Sequence, residues 1–139
     1  MRPKKVILCV DDNEQDLSVL SFTLSTSGYR VLSAPDAEDA IALFSENTVD
    51  LVLVDYTLPR MDGNQLVTRL KHIAPHVPMM LLGDPQKTDA QFHAADAFVG
   101  KKTCSVQELL ERIKVMSARK RGPRKGVQRA TPAALAVAS

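Results

Sequence analysis

Leu51-Val52-Leu53-Val54-Asp55 is an unbroken apolar run closed by a single carboxylate. A strand with one wet face alternates apolar and polar residues; a continuous run reads as a strand buried on both faces, as in a parallel sheet sandwiched between helices. Working outward, the same design recurs twice: Val6-Ile-Leu-Cys-Val10 is closed by Asp11-Asp12, and Met79-Met-Leu-Leu82 by Gly83-Asp84. Two weaker strands fit Tyr29 to Ser33 and Ala97 to Val99.

Between these runs the apolar period changes to that of a helix. Leu17, Leu20 and Leu24 form one stripe, Ala37, Ala40, Ile41 and Phe44 a second, Leu66, Leu70 and Ile73 a third, and Val106, Leu109, Leu110 and Ile113 the last. A less periodic helix is expected over Gln86 to Ala94. Asp12-Asn13 and Ser33 to Asp36 supply helix-start residues, with Pro35 suited to a first helical turn, and Gly28 suits a helix end. Five βα units in register predict an α/β fold with a parallel sheet between two helical layers.

A chain of 139 residues that is 45% hydrophobic and 24% charged has room for one folded domain with a real core, which excludes a multidomain enzyme and disorder throughout. Cys9 and Cys104 have no metal-site spacing and read as reduced thiols. The five apolar residues after Lys5 are too few for a signal-peptide core and no run is long enough to span a membrane, so a cytoplasmic location is expected. His72, His76 and His93 lie away from the strand ends with no ligand spacing.

The net charge of +2 conceals two opposed regions. Residues 117–139 hold six cations, Arg119, Lys120, Arg121, Arg124, Lys125 and Arg129, and no acid, which leaves residues 1–116 with a net charge of −4. The domain is therefore placed at 1–116. The basic tail 117–139, interleaved with Gly122, Pro123, Gly126 and Pro132, is expected to lack fixed structure beyond an overrun of the last helix. Its simplest reading is a solvated end, and the alternative is a docking segment for nucleic acid or an acidic partner. With no interleaved aromatics and no helix-turn-helix pattern, specific DNA reading is not expected.

In an open parallel sheet, ligands bind beyond the carboxyl ends of the strands. Asp11, Asp12 and Asp55 close two of them, and Lys101 follows the fifth strand. Clustered carboxylates repel unless a hard divalent cation sits among them, and magnesium takes such ligands together with water and phosphate oxygens. A carboxylate held near a cation and a lysine can attack phosphorus to give an aspartyl phosphate, with Asp55 as the nucleophile. Each residue also has a plainer role: Asp12 as a helix cap, Asp55 as a turn former, Lys101 and Lys102 as a solvated pair.

Asp11-Asp12, then Asp55-Tyr-Thr-Leu-Pro-Arg-Met-Asp-Gly63, then Ala95-Asp-Ala-Phe-Val-Gly-Lys101 resemble, in order and spacing, the receiver domain of bacterial two-component response regulators. The resemblance covers residues 4–116. It implies a flavodoxin-like five-stranded sheet in the order 2-1-3-4-5. It also implies phosphorylation of Asp55 by a histidine kinase or phosphotransfer protein, with Mg²⁺ held by Asp11, Asp12, Asp55 and the carbonyl of Thr57. Lys101 would then bind phosphoryl oxygens, and Phe98 would stand in the place of the family's switching aromatic. The implied role is that of a signalling module rather than an enzyme, acting through a downstream protein or a homodimer. The usual partner face would include Lys101, Lys102 and Gln107.

Three residues, at two places in the chain, depart from the family pattern. Gly83 stands where a Ser or Thr hydroxyl is usual, followed by Asp84 in place of a small residue, and Lys102 replaces a proline. A missing hydroxyl removes roughly 1.5–3 kcal/mol of preference for the active conformation of the phosphorylated state. Without the proline, a trans peptide bond or a strained loop is expected after Lys101. The expectation is a stand-alone receiver that accepts phosphate but couples it weakly to rearrangement. The alternative is a binding module of the same fold that no longer depends on phosphorylation. A Mg²⁺-dependent phosphatase is disfavoured because no acid lies two residues beyond Asp55, and a Rossmann dinucleotide site because Cys9 to Glu14 contains no glycine.

Overall fold

The computed structural model describes residues 4–84 and 94–118. Within them the chain runs β1 (Val6–Val10), α1 (Glu14–Thr26), β2 (Arg30–Ala34), α2 (Ala37–Glu46), β3 (Leu51–Asp55), α3 (Gly63–Ile73), β4 (Met79–Gly83), β5 (Ala97–Gly100) and α4 (Val106–Ser117). All five strands are parallel in the order β2-β1-β3-β4-β5, as expected. The helix expected over Gln86 to Ala94 falls, except for its last residue, outside the described residues, as does the tail from Arg119 onward.

The unbroken apolar strands do what their composition requires, sending alternate side chains into two cores. Leu8, Val10, Val52, Val54, Met79 and Leu81 pack against α2 and α3 through Ala40, Phe44, Leu66 and Leu70. Ile7, Cys9, Leu51, Leu53, Met80 and Leu82 pack on the other face against Leu17 and Leu24 of α1 and Ile113 and Met116 of α4. Every residue of β3 and β4 is buried, which is why neither strand alternates in sequence.

Local chemistry sets the boundaries. The end of α1 is a Schellman motif: the Tyr29 N–H donates to the Leu24 carbonyl (3.1 Å), the Gly28 N–H donates to Ser25 (3.1 Å), and Gly28 takes the left-handed φ of 99°. Tyr29 is thereby engaged with the helix, so β2 begins one residue later than the apolar pattern predicts. Pro35 lies outside α2, because the Asp36 carboxylate accepts from the Asp39 N–H at 2.8 Å and makes Asp36 the cap. Asp62 and Ser105 begin α3 and α4 with reciprocal capping boxes through Gln65 and Glu108, an arrangement the apolar stripes alone do not reveal.

Candidate functional site

The carboxyl ends of β1 and β3 are adjacent in the sheet, so Asp11, Asp12 and Asp55 converge. One carboxylate oxygen from each lies within 4.8 Å of the others, and among the described residues this is the group of acids able to hold a metal ion. Asp11 and Asp55 are buried and Asp12 is exposed. Asp12 does not cap α1; that role falls to Asn13, whose side chain accepts from the Asp16 N–H at 3.0 Å. The plain structural role for Asp12 is thus taken by its neighbour, and its carboxylate faces the cluster.

Lys101 follows β5 and reaches across to the same point. Its Nζ stands 2.9 Å from Asp11 Oδ2, 3.0 Å from Asp55 Oδ2 and 3.1 Å from Asp16 Oδ2. Burial opposes its charge, but hydrogen bonds to Asp11, Asp55 and Asp16 outweigh it and hold the ammonium well above the ordinary lysine range. Asp16 is the acid that sequence reading missed. Its place in the first turn of α1 is visible in the sequence, but its meeting with Lys101 is not.

Asp55 shows the cost of its position. Burial pushes its carboxyl above the ordinary aspartate range, and the charge of Asp11 adds to this, while the Lys101 hydrogen bond works against it. A cation would relieve both the burial and the repulsion, so the donor set fits a hard divalent ion. Asp55 Oδ1 also accepts from the Thr57 N–H at 3.3 Å, which orients the carboxylate, and Thr57 itself is exposed beside the site.

Gly63 explains why the loop after Asp55 needs a glycine where it returns to the helix. A Cβ there would lie 2.5 Å from the Asp55 carbonyl oxygen and 2.8 Å from Tyr56 Cα, and the Gly63 N–H donates to the Tyr56 carbonyl at 2.7 Å. The start of α3 is therefore clamped directly onto the backbone that carries the nucleophile candidate. Arg60 in this loop takes a left-handed φ of 70°, uncommon for a residue with a side chain.

The ends of β4 and β5 are built differently. A Cβ on Gly83 would lie 3.0 Å from Tyr56 Cβ and 3.3 Å from Phe98 Cζ, so the aromatic ring lies over the space that a larger residue would take. Phe98 is half-buried against the α2–α3 core. Asp84 is exposed and lies outside the acidic cluster, and Lys102 is exposed as well. The loop after Lys101 closes as a turn, the Cys104 N–H donating to the Gly100 carbonyl at 3.0 Å.

A second polar junction lies at the opposite end of the sheet, where Lys71 Nζ meets Asp96 Oδ2 at 2.7 Å and Asp96 Oδ2 accepts from the Met79 N–H at 2.8 Å. It fastens α3 to the edge between β4 and β5. His72 and His76 are exposed, and His93 lies outside the described residues. Cys9 and Cys104 are both free; burial, with the charge of Asp11, pushes the Cys9 thiol up to about 12, so it is inert packing.

Residues 7–114 match the sequence profile of the response regulator receiver domain, and the chain belongs to that family. It is 35% identical over 78 residues to the alkaline phosphatase synthesis transcriptional regulatory protein PhoP of Bacillus subtilis, across 56% of this chain and 32% of that protein. It is 35% identical over 75 residues to the sensor histidine kinase RcsC of Salmonella typhimurium, across 54% of this chain and 8% of that one. The chain thus spans a third or less of these curated relatives. Among solved structures it resembles the response regulator TrrA of Thermotoga maritima in complex with Mg²⁺ and BeF, with 28% identity, a TM-score of 0.73, and coverage of 81% of this chain and 98% of that one. The protein is a receiver domain of the two-component type, homologous to the receivers of both transcriptional regulators and histidine kinases.

Proposed function

We propose that this domain accepts a phosphoryl group on Asp55 from a histidine kinase or phosphotransfer protein and signals by binding another protein. The observation that carries the reading is the convergence of Asp11, Asp12 and Asp55 within 4.8 Å, with the Lys101 ammonium on two of them. In the reaction an Asp55 oxygen attacks phosphorus, an O–P bond forms as the donor's P–N bond breaks, and the imidazole leaves with the electron pair. Asp11, Asp12, Asp55 and the Thr57 carbonyl would hold Mg²⁺, which when bound offsets the acidic charge and stabilises phosphoryl oxygens. Lys101 supplies a second positive charge on a tether fixed by β5. Asp11, oriented by the Asn13 N–H at 2.9 Å, keeps the ammonium aimed at the site.

The donor has a surface to meet beside the site. A groove of about 320 Å³ runs between α1 and the β5–α4 loop, lined by Leu20, Leu82, Val99 and Leu109, with Val19 and Val106 more than half exposed at its rim. Among the described residues no helix is long and apolar enough to cross a membrane, which accords with a cytoplasmic module. It would be a signalling element rather than an enzyme.

A second reading rests on Gly83. With no hydroxyl at the end of β4 and the Phe98 ring already over that position, less can change on phosphorylation, so the output would be weakly coupled to it. In the limit the domain binds its partner without phosphate. Intact-mass analysis after incubation with Mg²⁺ and a small phosphodonor separates the two. We expect a phosphoryl adduct in the parent and none in Asp55→Asn; no adduct, with beryllofluoride failing to bind as well, would overturn acceptance and leave the phosphate-independent module.

A further inference from the structure

Lys101 is held by more acid than the metal-binding group supplies. Of the three carboxylates around its Nζ, Asp11 and Asp55 belong to the group of acids able to hold a metal ion, and Asp16 does not. Asp16 also stands apart in burial: its side chain is 50% exposed, against 6% for Asp11 and 9% for Asp55. Solvent is within its reach, so burial does not force its bond to Lys101 at 3.1 Å.

The backbone places this third contact. Asp11 Oδ1 accepts from the Asn13 N–H at 2.9 Å, and the Asn13 side chain accepts from the Asp16 N–H at 3.0 Å. The capped first turn of α1 thereby returns Asp16 toward Asp11, and Lys101 closes a ring by bonding Asp11 Oδ2 and Asp16 Oδ2 together. The root of the lysine is fixed as well, since the Lys101 N–H donates to the Gly83 carbonyl at 2.8 Å. An ammonium has three N–H donors, and the three carboxylates take them.

We propose that Asp16 is a positioning residue for phosphoryl transfer, holding the Lys101 ammonium at the site while Asp11 and Asp55 are engaged in the chemistry. The inference rests on the function proposed above. In that reading Asp11 and Asp55 also hold Mg²⁺, and the Asp55 carboxylate loses its charge as its oxygen bonds phosphorus. The ammonium's contact with Asp55 then passes to the phosphoryl oxygens, and its hold on Asp11 is shared. Asp16, outside the metal-binding group, is the partner of Lys101 that neither event consumes. Without it the flexible four-carbon stem is freer to swing away, and the positive charge needed beside the phosphoryl oxygens is less often in place.

The test is the rate of phosphoryl adduct formation on the full chain, timed by intact mass with phosphoramidate across a Mg²⁺ series. In that reaction an Asp55 oxygen bonds phosphorus as the P–N bond breaks and ammonia leaves with the electron pair. Glu14→Gln is the control, because Glu14 is an exposed acid of the same helical turn and is not an ion-pair partner of Lys101. At saturating Mg²⁺, Asp16→Asn should react about three- to fivefold more slowly than Glu14→Gln, the scale of a half-exposed ion pair. The Mg²⁺ concentration at half-maximal rate should stay within about twofold, because Asp16 acts on the lysine rather than the metal. In a Lys101→Met background the same substitution should change the rate by less than about 1.5-fold, since its effect runs through the ammonium. An Asp16→Asn rate equal to or above that of Glu14→Gln, a large shift in the Mg²⁺ requirement, or an undiminished effect without Lys101 would overturn the inference alone. No adduct in the parent would overturn the proposed function and the inference with it.

Discussion

The two halves of the carboxyl edge are built to different tolerances. Around β1 and β3, the half proposed to load phosphate, Asp11 is held by Asn13 and Lys101, Asp55 by Thr57 and Lys101, and the returning loop by Gly63 against the Asp55 carbonyl. Around β4 and β5, the half proposed to respond, a glycine and a half-buried ring meet at Gly83 and Phe98, and Asp84 and Lys102 are exposed side chains outside the acidic cluster. Capturing a phosphoryl group needs preorganised charge, which cannot be loosened without losing the chemistry. Reporting that capture needs only a bistable element, so substitutions there change the response without abolishing the reaction.

Metal affinity gives the largest contrast between the halves. Asp11→Asn should weaken Mg²⁺ binding by more than about tenfold, since even groups one step removed from a metal cost that much. Asp84→Asn should leave it within about twofold, because Asp84 lies outside the acidic cluster. Isothermal titration calorimetry on the two variants reads this directly, and equal losses would erase the division drawn here.

The two glycines make the same contrast in stability. Gly63→Ala puts a methyl 2.5 Å from a backbone oxygen that cannot move without moving Asp55, and should cost about 2–3 kcal/mol in urea unfolding. Gly83→Ala meets the tip of the Phe98 ring at 3.3 Å, which can shift by tenths of an ångström, and Tyr56 Cβ at 3.0 Å, which moves only with its backbone, while alanine suits a strand better than glycine. Its net effect should stay within about 1 kcal/mol of the parent in either direction. A large loss at Gly83 would show the responding half to be as rigid as the other.

A pH series sharpens the electrostatic side of the loading half. Because burial and Asp11 raise the Asp55 carboxyl in the folded state above its unfolded value, folding favours the protonated form. That contribution is fully present below the ordinary aspartate range and is lost as pH rises through the raised value. Asp55→Asn carries no such loss, so its urea midpoint should exceed the parent's at neutral pH without metal. The gap should close as pH falls below the ordinary carboxylate range.

Most of the fold was legible because its signals are local. Three unbroken apolar runs could only be strands covered on both faces, and the strand-end carboxylates followed from where such strands stop. Asp11, Asp12, Asp55 and Lys101 converge at the strand ends where the sequence places them. Asp16 was not legible, since its bond to Lys101 depends on how α1 leans toward the β5–α4 loop, a matter of tertiary packing rather than pattern. Nor was the fit of Phe98 over Gly83: the sequence shows a missing hydroxyl, but only the packed sheet shows what lies over the space. Pro35 was misplaced for a local reason, the stronger claim of the Asp36 carboxylate on the helix cap.

The smallest expected difference concerns the two capping boxes. Asp62 accepts from the Gln65 N–H at 2.8 Å and Ser105 from the Glu108 N–H at 3.1 Å, so Asp62→Ala and Ser105→Ala should each cost about 1 kcal/mol. Their consequences for chemistry should differ. The first residue of α3 is Gly63, bonded at 2.7 Å to the carbonyl of Tyr56, so fraying that turn loosens the backbone next to Asp55. The first turn of α4 begins five residues beyond Lys101, past the turn that closes on Gly100, and its fraying leaves the ammonium tethered by three carboxylates. Asp62→Ala should therefore slow formation of the phosphoryl adduct by a few-fold while Ser105→Ala does not, at equal loss of stability. An equal slowing in both would mean that the site responds to global stability alone and that the clamp at Gly63 has no separate role.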